Sequence, residues 1–599
     1  MCGITGFTGA RADDLLTGMV DALHHRGPDG QGCWSAPAGD VHLGHARLAI
    51  IDLADGAQPM HTADGGLTVV FNGEIYNHPE LRTELEARGH RFRTDHSDTE
   101  VLLHGYREWG ADLCRRLNGM WAFALYDREA RTLFLSRDRY GQKPLYYARC
   151  GEDLVFASEL TALRLHPGVE ATVSRRALRK YFAYGFIPAP LSLYEGVHKL
   201  PGGCLLRFDL QDHTLREEAW WRFELEPRPP EEVDEEAAAE ELRELLDRAV
   251  RRRLMADVPL GIFLSGGVDS TTVAALVRRT RPDLACYSIG FDEPSFDESA
   301  PARAAAGALG VEHRLETLSL QAARELLPEL ASGLDEPVAD SSLLPTYLLC
   351  RSTRREVTVA LSGDGADELF AGYDPFRALR AAEWYARLTP RPVHRALRLL
   401  AAHLPTRHAN LSFDFKVKRT LRGLSYPPGL WNPVWLSCLE PGELARWFGE
   451  PVTAEDVYEE AIAAWDACPS SDPIDRTLTF YTRFYLQEQI LPKVDRCSMR
   501  HGLEVRSPFL DADLAAFVQR LPTRFKFRQG RGKVLLHRAV AGMVPGFVLQ
   551  RPKKGFGTPV GPWFRNGDLV PPPNDHGVGL NAEFLAECLG RHQRGESDE

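Results

Sequence analysis

The spacing of apolar residues changes near the middle of the chain. Up to about residue 205 they fall in short runs rich in β-branched and aromatic side chains. Residues 42–52, 66–72, 120–126 and 132–136 are examples, punctuated by Gly, Asp and Asn. Many short strands and few long helical periods predict a layered antiparallel sheet domain. Residues 224–236 read ELEPRPPEEVDEE, a proline- and acid-rich composition expected of a semi-extended linker. From Glu236 the period turns helical, with EAAAEELRELLDRAVRRRL placing apolar residues at helical spacing among good helix formers. Continuous apolar runs then appear at 258–265, 284–291 and 357–363, alternating with helical stretches. Runs of that kind predict a parallel sheet covered by helices on both faces. Residues 377–404 and 461–491 are mostly helical in pattern, and the chain after about Asn566 reads as a polar, frayed tail.

Composition narrows the class. A length of 599 residues calls for at least two domains. Apolar residues are 44 % and charged residues 26 %, which excludes general disorder; 51 Gly and 40 Pro without period exclude a collagen-like rod. With 71 basic and 83 acidic residues the net charge is −12, which argues against nucleic acid or an anionic membrane as a partner. The basic runs 251–253 and 416–419 are expected to be solvated helix faces. Eleven cysteines without a CxxC pair give no zinc knuckle and no disulfide framework. No apolar run approaches the roughly 18 residues of a spanning helix. The start, MCGITGF, lacks the basic and long apolar regions of a secretory signal, so a reducing cytoplasmic location is expected.

The first candidate chemistry is Cys2. Removal of Met1 would make it N-terminal and give it a built-in base, the α-amine, whose pKa near 7.7–8.0 lets it accept a proton. Taken alone, such a cysteine reads as a small buried hydrophobe. It is followed in order by His25-Arg26-Gly27-Pro28-Asp29, Gly44-His45-Ala46-Arg47-Leu48, Phe71-Asn72-Gly73-Glu74-Ile75-Tyr76-Asn77, Ser97-Asp98-Thr99-Glu100, Gly119-Met120-Trp121-Ala122-Phe123 and Arg137-Asp138-Arg139-Tyr140-Gly141. This ordered set resembles the class II glutamine amidotransferase domain. The resemblance implies an N-terminal-nucleophile αββα sandwich over residues 1–210 and a glutaminase. It implies that Cys2 attacks the glutamine amide, while Asn72 and the Gly73 N–H form the oxyanion hole. Arg47 would hold the α-carboxylate, Glu74 and Asp98 the α-ammonium, and Leu48 and Ile51 would complete the glutamine site. A planar guanidinium suits the carboxylate, and donors poised for a developing oxyanion suit acyl transfer.

The second constellation is Leu264-Ser265-Gly266-Gly267-Val268-Asp269-Ser270, between an apolar strand and a helix, where backbone N–H groups make an anion site. No Gly-Lys-Ser/Thr follows, so it is not a Walker loop. It is similar to the SGGxDS loop of ATP pyrophosphatases, which cleave ATP between the α- and β-phosphates. A second loop, Leu361-Ser362-Gly363-Asp364-Gly365-Ala366-Asp367-Glu368, also follows an apolar strand, so both loops are expected at one crevice. It resembles the SG[ED]GxDE motif of asparagine synthetases. Further matches are Leu491-Pro492-Lys493-Val494-Asp495-Arg496, residues 503–511, Gly532-Lys533 and residues 551–557. The resemblance implies that Leu264, Ser265, Gly266, Gly267, Asp269, Ser270, Ile289, Ser362 and Gly363 bind ATP. Asp269 and Asp367 would hold Mg²⁺, Lys533 would face the α-phosphate, and Asp364, which falls where some members have Glu, would serve the amide-forming step. A carboxylate or two beside phosphate oxygens is what Mg²⁺ takes.

Taken over about residues 1–560, the chain resembles the glutamine-hydrolysing asparagine synthetase family. The expectation is an α/β and α+β protein of two domains: residues 1–210, a linker at 211–236, a parallel-sheet α/β nucleotide-binding domain with added helices at 237–565, and a tail at 566–599. The reaction implied is amidation of aspartate with glutamine as nitrogen donor and ATP cleaved to AMP and pyrophosphate, ammonia crossing an interdomain passage. Another carboxylate acceptor, in specialised-metabolite or surface-polysaccharide biosynthesis, is the alternative. A β-lactam synthetase-like ring closer is disfavoured by the intact Cys2 set, and a noncatalytic module by two complete constellations. A homodimer is the candidate assembly, since dimers are common among relatives.

Overall fold

The structure is a computed structural model and describes residues 2–10, 13–404, 412–552 and 557–558. In its first part the strands are β1 (Gly3–Thr8), β2 (Gly30–Ser35), β3 (Val41–Arg47), β4 (Met60–His61), β5 (Leu67–Ile75), β6 (Gly119–Asp127), β7 (Thr132–Arg137), β8 (Tyr146–Cys150), β9 (Asp153–Ala157), β10 (Val197–Lys199), β11 (Cys204–Asp209) and β12 (Leu215–Ala219). They build two six-stranded sheets, ordered β10-β8-β9-β1-β3-β2 and β12-β11-β7-β6-β5-β4. Neighbours in both sheets run antiparallel. Three apolar layers explain why the central strands are buried on both faces. Ile4, Leu43, Val70, Ala122 and Phe156 fill the space between the sheets. Phe7, Val20 and Leu163 lie between the first sheet and its helices. Val69, Phe123, Leu85 and Leu103 lie between the second sheet and the helices His78–Ala87 and Glu100–Trp109. The result is the expected αββα sandwich.

The stretch read as a linker is partly sheet. Leu215–Ala219 pairs with β11, and Trp220, Phe223 and Leu225 are buried. The Pro-rich part that follows is clipped to the second half by Glu226 N–H on the Gln519 carbonyl (2.9 Å) and Arg228 N–H on that of Arg520 (2.9 Å). The alternating apolar residues at 215–225 were masked by the acidic and basic residues between them.

The second half holds a parallel sheet of β13 (Leu260–Phe263), β14 (Cys286–Phe291), β15 (His313–Leu318), β16 (Val359–Leu361) and β17 (Glu504–Arg506), ordered β15-β14-β13-β16-β17. Chain direction across the sheet reverses between β13 and β16. Such a switch point opens a crevice at the carboxyl ends of the strands, and both glycine-rich loops leave from there. Helices Asp374–Leu388, Arg391–Ala402, Pro473–Phe480 and Leu491–Met499 form much of the expected helical addition, with a wide π-helical turn over Tyr481–Ile490. No helix among the described residues is long and apolar enough to cross a membrane. The tail at 566–599 lies outside the described residues.

The basic run 251–253 corrects one expectation. Asp234 caps the helix Glu235–Arg252 by accepting the Ala237 N–H at 2.8 Å. Arg251 is exposed, but Arg253 is fully buried. Its guanidinium donates to Asp511 (2.9 Å) and lies 4.3 Å from the Tyr76 ring centroid. The helix ends as the chain turns inward toward β13, so the third arginine points into the protein while the first remains outside.

Candidate active sites

The two chemically distinct constellations form two sites, one in each half. In the first, Cys2 begins the chain into β1 and is nearly buried. Its N–H donates to Asn72 Oδ1 (3.0 Å), and its Sγ–H points to the Leu48 carbonyl (3.8 Å). Burial pushes the thiol pKa up, so the resting sulfur is a thiol that needs a base to become a nucleophile. Asn72 sits in β5 and is fully buried; with Oδ1 engaged, its Nδ2 finds no acceptor. A buried unsatisfied donor is costly, and one beside a nucleophile is the arrangement an oxyanion hole requires. Gly73 follows. A Cβ there would lie 2.1 Å from the Met120 carbonyl oxygen, so packing of β5 on β6 admits only glycine.

The pocket in front of Cys2 is lined by Arg47, Leu48, Ile51, Gly73, Glu74 and Asp98, six of the residues the resemblance assigned to glutamine, and Asn72 adjoins it through Cys2. Arg47 leaves the end of β3 and is oriented by donation to the carbonyls of Asp52 (2.7 Å) and Leu53 (3.1 Å). Glu74 and Asp98 lie against each other. Burial first, and then the Asp98 charge, drive the Glu74 carboxyl well up, against the pull of Arg506; burial likewise raises Asp98. Two adjacent buried carboxyls favour sharing a proton until a cation arrives. His45 is neutral in this neighbourhood, its pKa lowered to about 3 chiefly by burial.

Residues without an assigned role in the sequence reading also shape this site. Arg26, fully buried, donates to the Cys2 carbonyl (3.1 Å), Glu159 (2.7 Å) and Asp495 (2.9 Å). Burial opposes its charge, but Asp495 and Glu159 outweigh that and raise its pKa. Glu504 of β17 lines the pocket, and Asp257 clamps its covering loop by accepting the Asp52 N–H (2.8 Å) and donating to the Ile50 carbonyl (2.9 Å). Arg26 and Glu504 stand within quoted motifs, which was their only sequence signal; Asp257 had none.

The second site lies at the sheet's switch point. The loop after β13 is closed by Ser270 Oγ, which accepts the Ser265 N–H (3.1 Å) and meets Ser265 Oγ at 3.0 Å. Gly267 caps the helix Val268–Arg278, whose first turn carries Asp269 and Ser270. The two loops touch: a Cβ on Gly363 would lie 2.8 Å from Ser270 N and 3.0 Å from Asp269 Cβ, so only glycine permits this approach. Ser362 Oγ donates to Asp364 (2.7 Å) and lies 3.1 Å from Ser507 Oγ. Leu264, just past β13, and Ile289, within β14, are both buried, and the two segments are joined where Leu264 N–H donates to the Tyr287 carbonyl (2.9 Å).

Lys533 brings the acids of both loops together. Its Nζ lies 2.6 and 2.7 Å from the two Asp269 oxygens and 2.5 Å from Asp367 Oδ1. It is held in a left-handed conformation (φ 56°), with its N–H on the Phe370 carbonyl (2.7 Å). The three residues expected separately as metal ligands and phosphate-facing cation are therefore one charge cluster. Two convergent carboxylates fit Mg²⁺, which asks few protein ligands when phosphates complete its shell. No cluster of three or more His, Cys, Asp or Glu suited to a metal occurs among the described residues.

Residues 1–221 match the model of the glutamine amidotransferase domain and residues 241–598 that of asparagine synthase. A Mycobacterium tuberculosis protein provisionally named as a glutamine-hydrolyzing asparagine synthetase is 36 % identical, the match covering 95 % of this chain and 89 % of that protein. Asparagine synthetase [glutamine-hydrolyzing] 1 of Bacillus subtilis is 32 % identical over 94 % of this chain and 88 % of its own. A Gibberella zeae protein named amidase chry2 is 28 % identical over 93 % and 88 %. With both family models matched and both sites assembled, the chain belongs to the glutamine-hydrolysing asparagine synthetase family and is a glutamine-dependent ligase of that type.

Proposed function

We infer that the protein converts aspartate to asparagine, with glutamine hydrolysed at Cys2 and aspartate adenylated at the Lys533 cluster. The observation that carries the first half is the buried, unpartnered Asn72 Nδ2 beside the Cys2 thiol. After removal of Met1, the α-amine of Cys2 takes the thiol proton, and Sγ attacks the glutamine carboxamide carbon. Asn72 Nδ2 and the Gly73 N–H receive the negative oxygen of the tetrahedral intermediate. The C–N bond breaks, ammonia leaves with the returned proton, and water cleaves the resulting thioester to glutamate. Arg47 orients the α-carboxylate, and Glu74 with Asp98 hold the α-ammonium.

In the second half, the Ser265-Gly266-Gly267 loop and the N-terminus of the helix Val268–Arg278 cradle the pyrophosphate. Ser270, Ser362 and Gly363 support the nucleotide, and Leu264 and Ile289 offer an apolar wall for the base. Mg²⁺ held by Asp269 and Asp367 would neutralise phosphate charge. Lys533 supplies a fixed cation at the α-phosphate while the aspartate side-chain carboxylate displaces pyrophosphate. Ammonia then attacks the acyl carbon beside Asp364, and AMP leaves with one of the carboxylate oxygens. Exclusion of water between the sites keeps ammonia unprotonated and nucleophilic.

A different carboxylate acceptor is favoured by one observation, the amidase-named relative that matches nearly the whole chain. Pyrophosphate release measured with glutamine, ATP and a panel of carboxylic acids tests the assignment. Aspartate is expected to give the highest kcat/KM; release with another acid but not with aspartate would select the second reading. The unit boundaries proposed are the sandwich with β12 as one catalytic domain and the parallel sheet with its helices as the other, within one cytoplasmic chain.

A further inference from the structure

The glutamine pocket is not built by the sandwich alone. Arg506, from β17 of the parallel sheet, is fully buried and reaches across to it. Its Nη2 donates to Glu74 Oε2 at 2.9 Å. The remaining donors are anchored elsewhere: Nε on Glu504 Oε1 (2.6 Å), and Nη1 on the carbonyls of Arg253 (3.0 Å) and Met255 (2.6 Å). The Tyr76 ring lies beside the guanidinium, 5.6 Å from centroid to Cζ. A guanidinium fixed at three other points cannot follow Glu74, so Glu74 is fixed by it. The other Glu74 oxygen, Oε1, is buried and meets no donor besides the neighbouring Asp98 carboxyl.

We propose that Arg506 is a positioning residue of the glutamine site: it orients Glu74 so that Oε1 faces the substrate ammonium, and its fixed charge supports Glu74 once that ammonium arrives. The proposal rests on the reading that Glu74 and Asp98 bind that ammonium. The physical need is plain. Two neighbouring carboxyls in a buried pocket cannot both ionise without two cations. Arg506 shares its charge between Glu74 and Glu504, which faces the same pocket with the N-terminal amine nearby, and glutamine brings the further cation that lets Glu74 and Asp98 both ionise. Without Arg506, burial and Asp98 hold the proton on Glu74 even as glutamine binds, and the subsite loses half its charge. The strand that supplies Arg506 also supports the second site, because the Arg506 carbonyl accepts the Ser362 N–H at 2.9 Å. The amine subsite is therefore complete only while the nucleotide-binding half is docked on the sandwich.

The test measures ATP-independent glutamine hydrolysis in the full-length protein for Arg506→Gln, Arg506→Lys, Glu74→Gln and the double variant Arg506→Gln/Glu74→Gln. Arg506→Gln is expected to raise KM for glutamine at least tenfold at pH 7, with kcat within about threefold. The KM deficit should shrink as pH rises to 9, because rising pH removes the proton that burial and Asp98 favour on Glu74. A general loss of structure would lower kcat and show no such recovery. In the Glu74→Gln background, Arg506→Gln should raise KM less than twofold further. An equal rise in both backgrounds, or a KM deficit independent of pH, overturns the proposal. If Arg506→Gln does not fold, Arg506→Lys carries the same comparison: it keeps a cation but not the fork, and should raise KM at least threefold in the wild-type background and not in the Glu74→Gln background. Glu74→Gln alone leaving KM unchanged would instead refute the ammonium reading, so the two failures are distinguishable.

Discussion

Replacing Asn72 interrogates the glutaminase chemistry most sharply, because the residue has two separable functions. Its Oδ1 anchors the Cys2 N–H at 3.0 Å, and its Nδ2 is buried with no acceptor in the resting protein. The first is an ordinary hydrogen bond, about 1 kcal/mol. The second acts only once the oxyanion exists, and loss of one such donor costs about 3–4 kcal/mol, or 10²–10³ in kcat. Asn72→Ala removes both and should lower kcat for glutamine hydrolysis about a thousandfold, at roughly 1.4 kcal/mol per factor of ten, with KM within a few-fold. Asn72→Asp keeps the acceptor and replaces the donor by an oxygen, so its kcat should fall at least a hundredfold. The assay is glutamate release without ATP, with ammonia-dependent pyrophosphate release as the control for folding. An Asn72→Ala variant that keeps more than a tenth of wild-type kcat would refute the oxyanion assignment.

Other expectations follow from the same geometry. Cys2→Ala should abolish glutamine-dependent synthesis and spare synthesis from ammonium chloride; loss of both would mean the nucleophile lies elsewhere. Lys533→Met leaves Asp269 and Asp367 facing each other without their cation, and acceptor-dependent pyrophosphate release should fall at least a hundredfold, measured with ammonium chloride as nitrogen source. Burial raises the pKa values of Glu74 and Asp98, and on the proposed reading the substrate ammonium lowers them again. KM for glutamine should accordingly fall as pH rises from 6 to 8, by up to tenfold per unit, and a flat or rising KM would contradict it. Asp511→Ala strands the buried Arg253 charge and should cost about 3–5 kcal/mol of stability in denaturant unfolding; a change below 1 kcal/mol would place Arg253 in water.

The fold and the residues near each motif were legible because their signals are local. Apolar runs announced β5, β6, β7, β13, β14 and β16, although β13, β14 and β16 are shorter than their runs, which start before the strand and, for β13 and β16, continue into the loop that follows. The change of period at Glu236 announced the parallel-sheet half. Contacts between distant segments were not legible. Arg253 looked like one of three solvated arginines, because its partner Asp511 lies 258 positions away. Arg506 sat in a recognised motif without a role, since Glu74 is 432 positions distant. Spacing along the chain also could not reveal that Lys533, Asp269 and Asp367 form one cluster, which depends on the loop after β13, the loop after β16 and the turn before Val534 meeting at the switch point. In the pocket at Cys2, the resemblance supplied the residues, and the structure added the unpartnered Asn72 amide and the mutual effect of the Glu74 and Asp98 carboxyls.

The central claim is amidation of aspartate through an acyl-adenylate, and oxygen transfer reads it directly. Aspartate labelled with ¹⁸O in its side-chain carboxylate is incubated with the protein, glutamine, ATP and Mg²⁺, and the nucleotide product is analysed by mass spectrometry. The account expects AMP carrying one ¹⁸O per asparagine formed, with equimolar pyrophosphate and glutamate. Unlabelled AMP, or ADP and phosphate in its place, would contradict it.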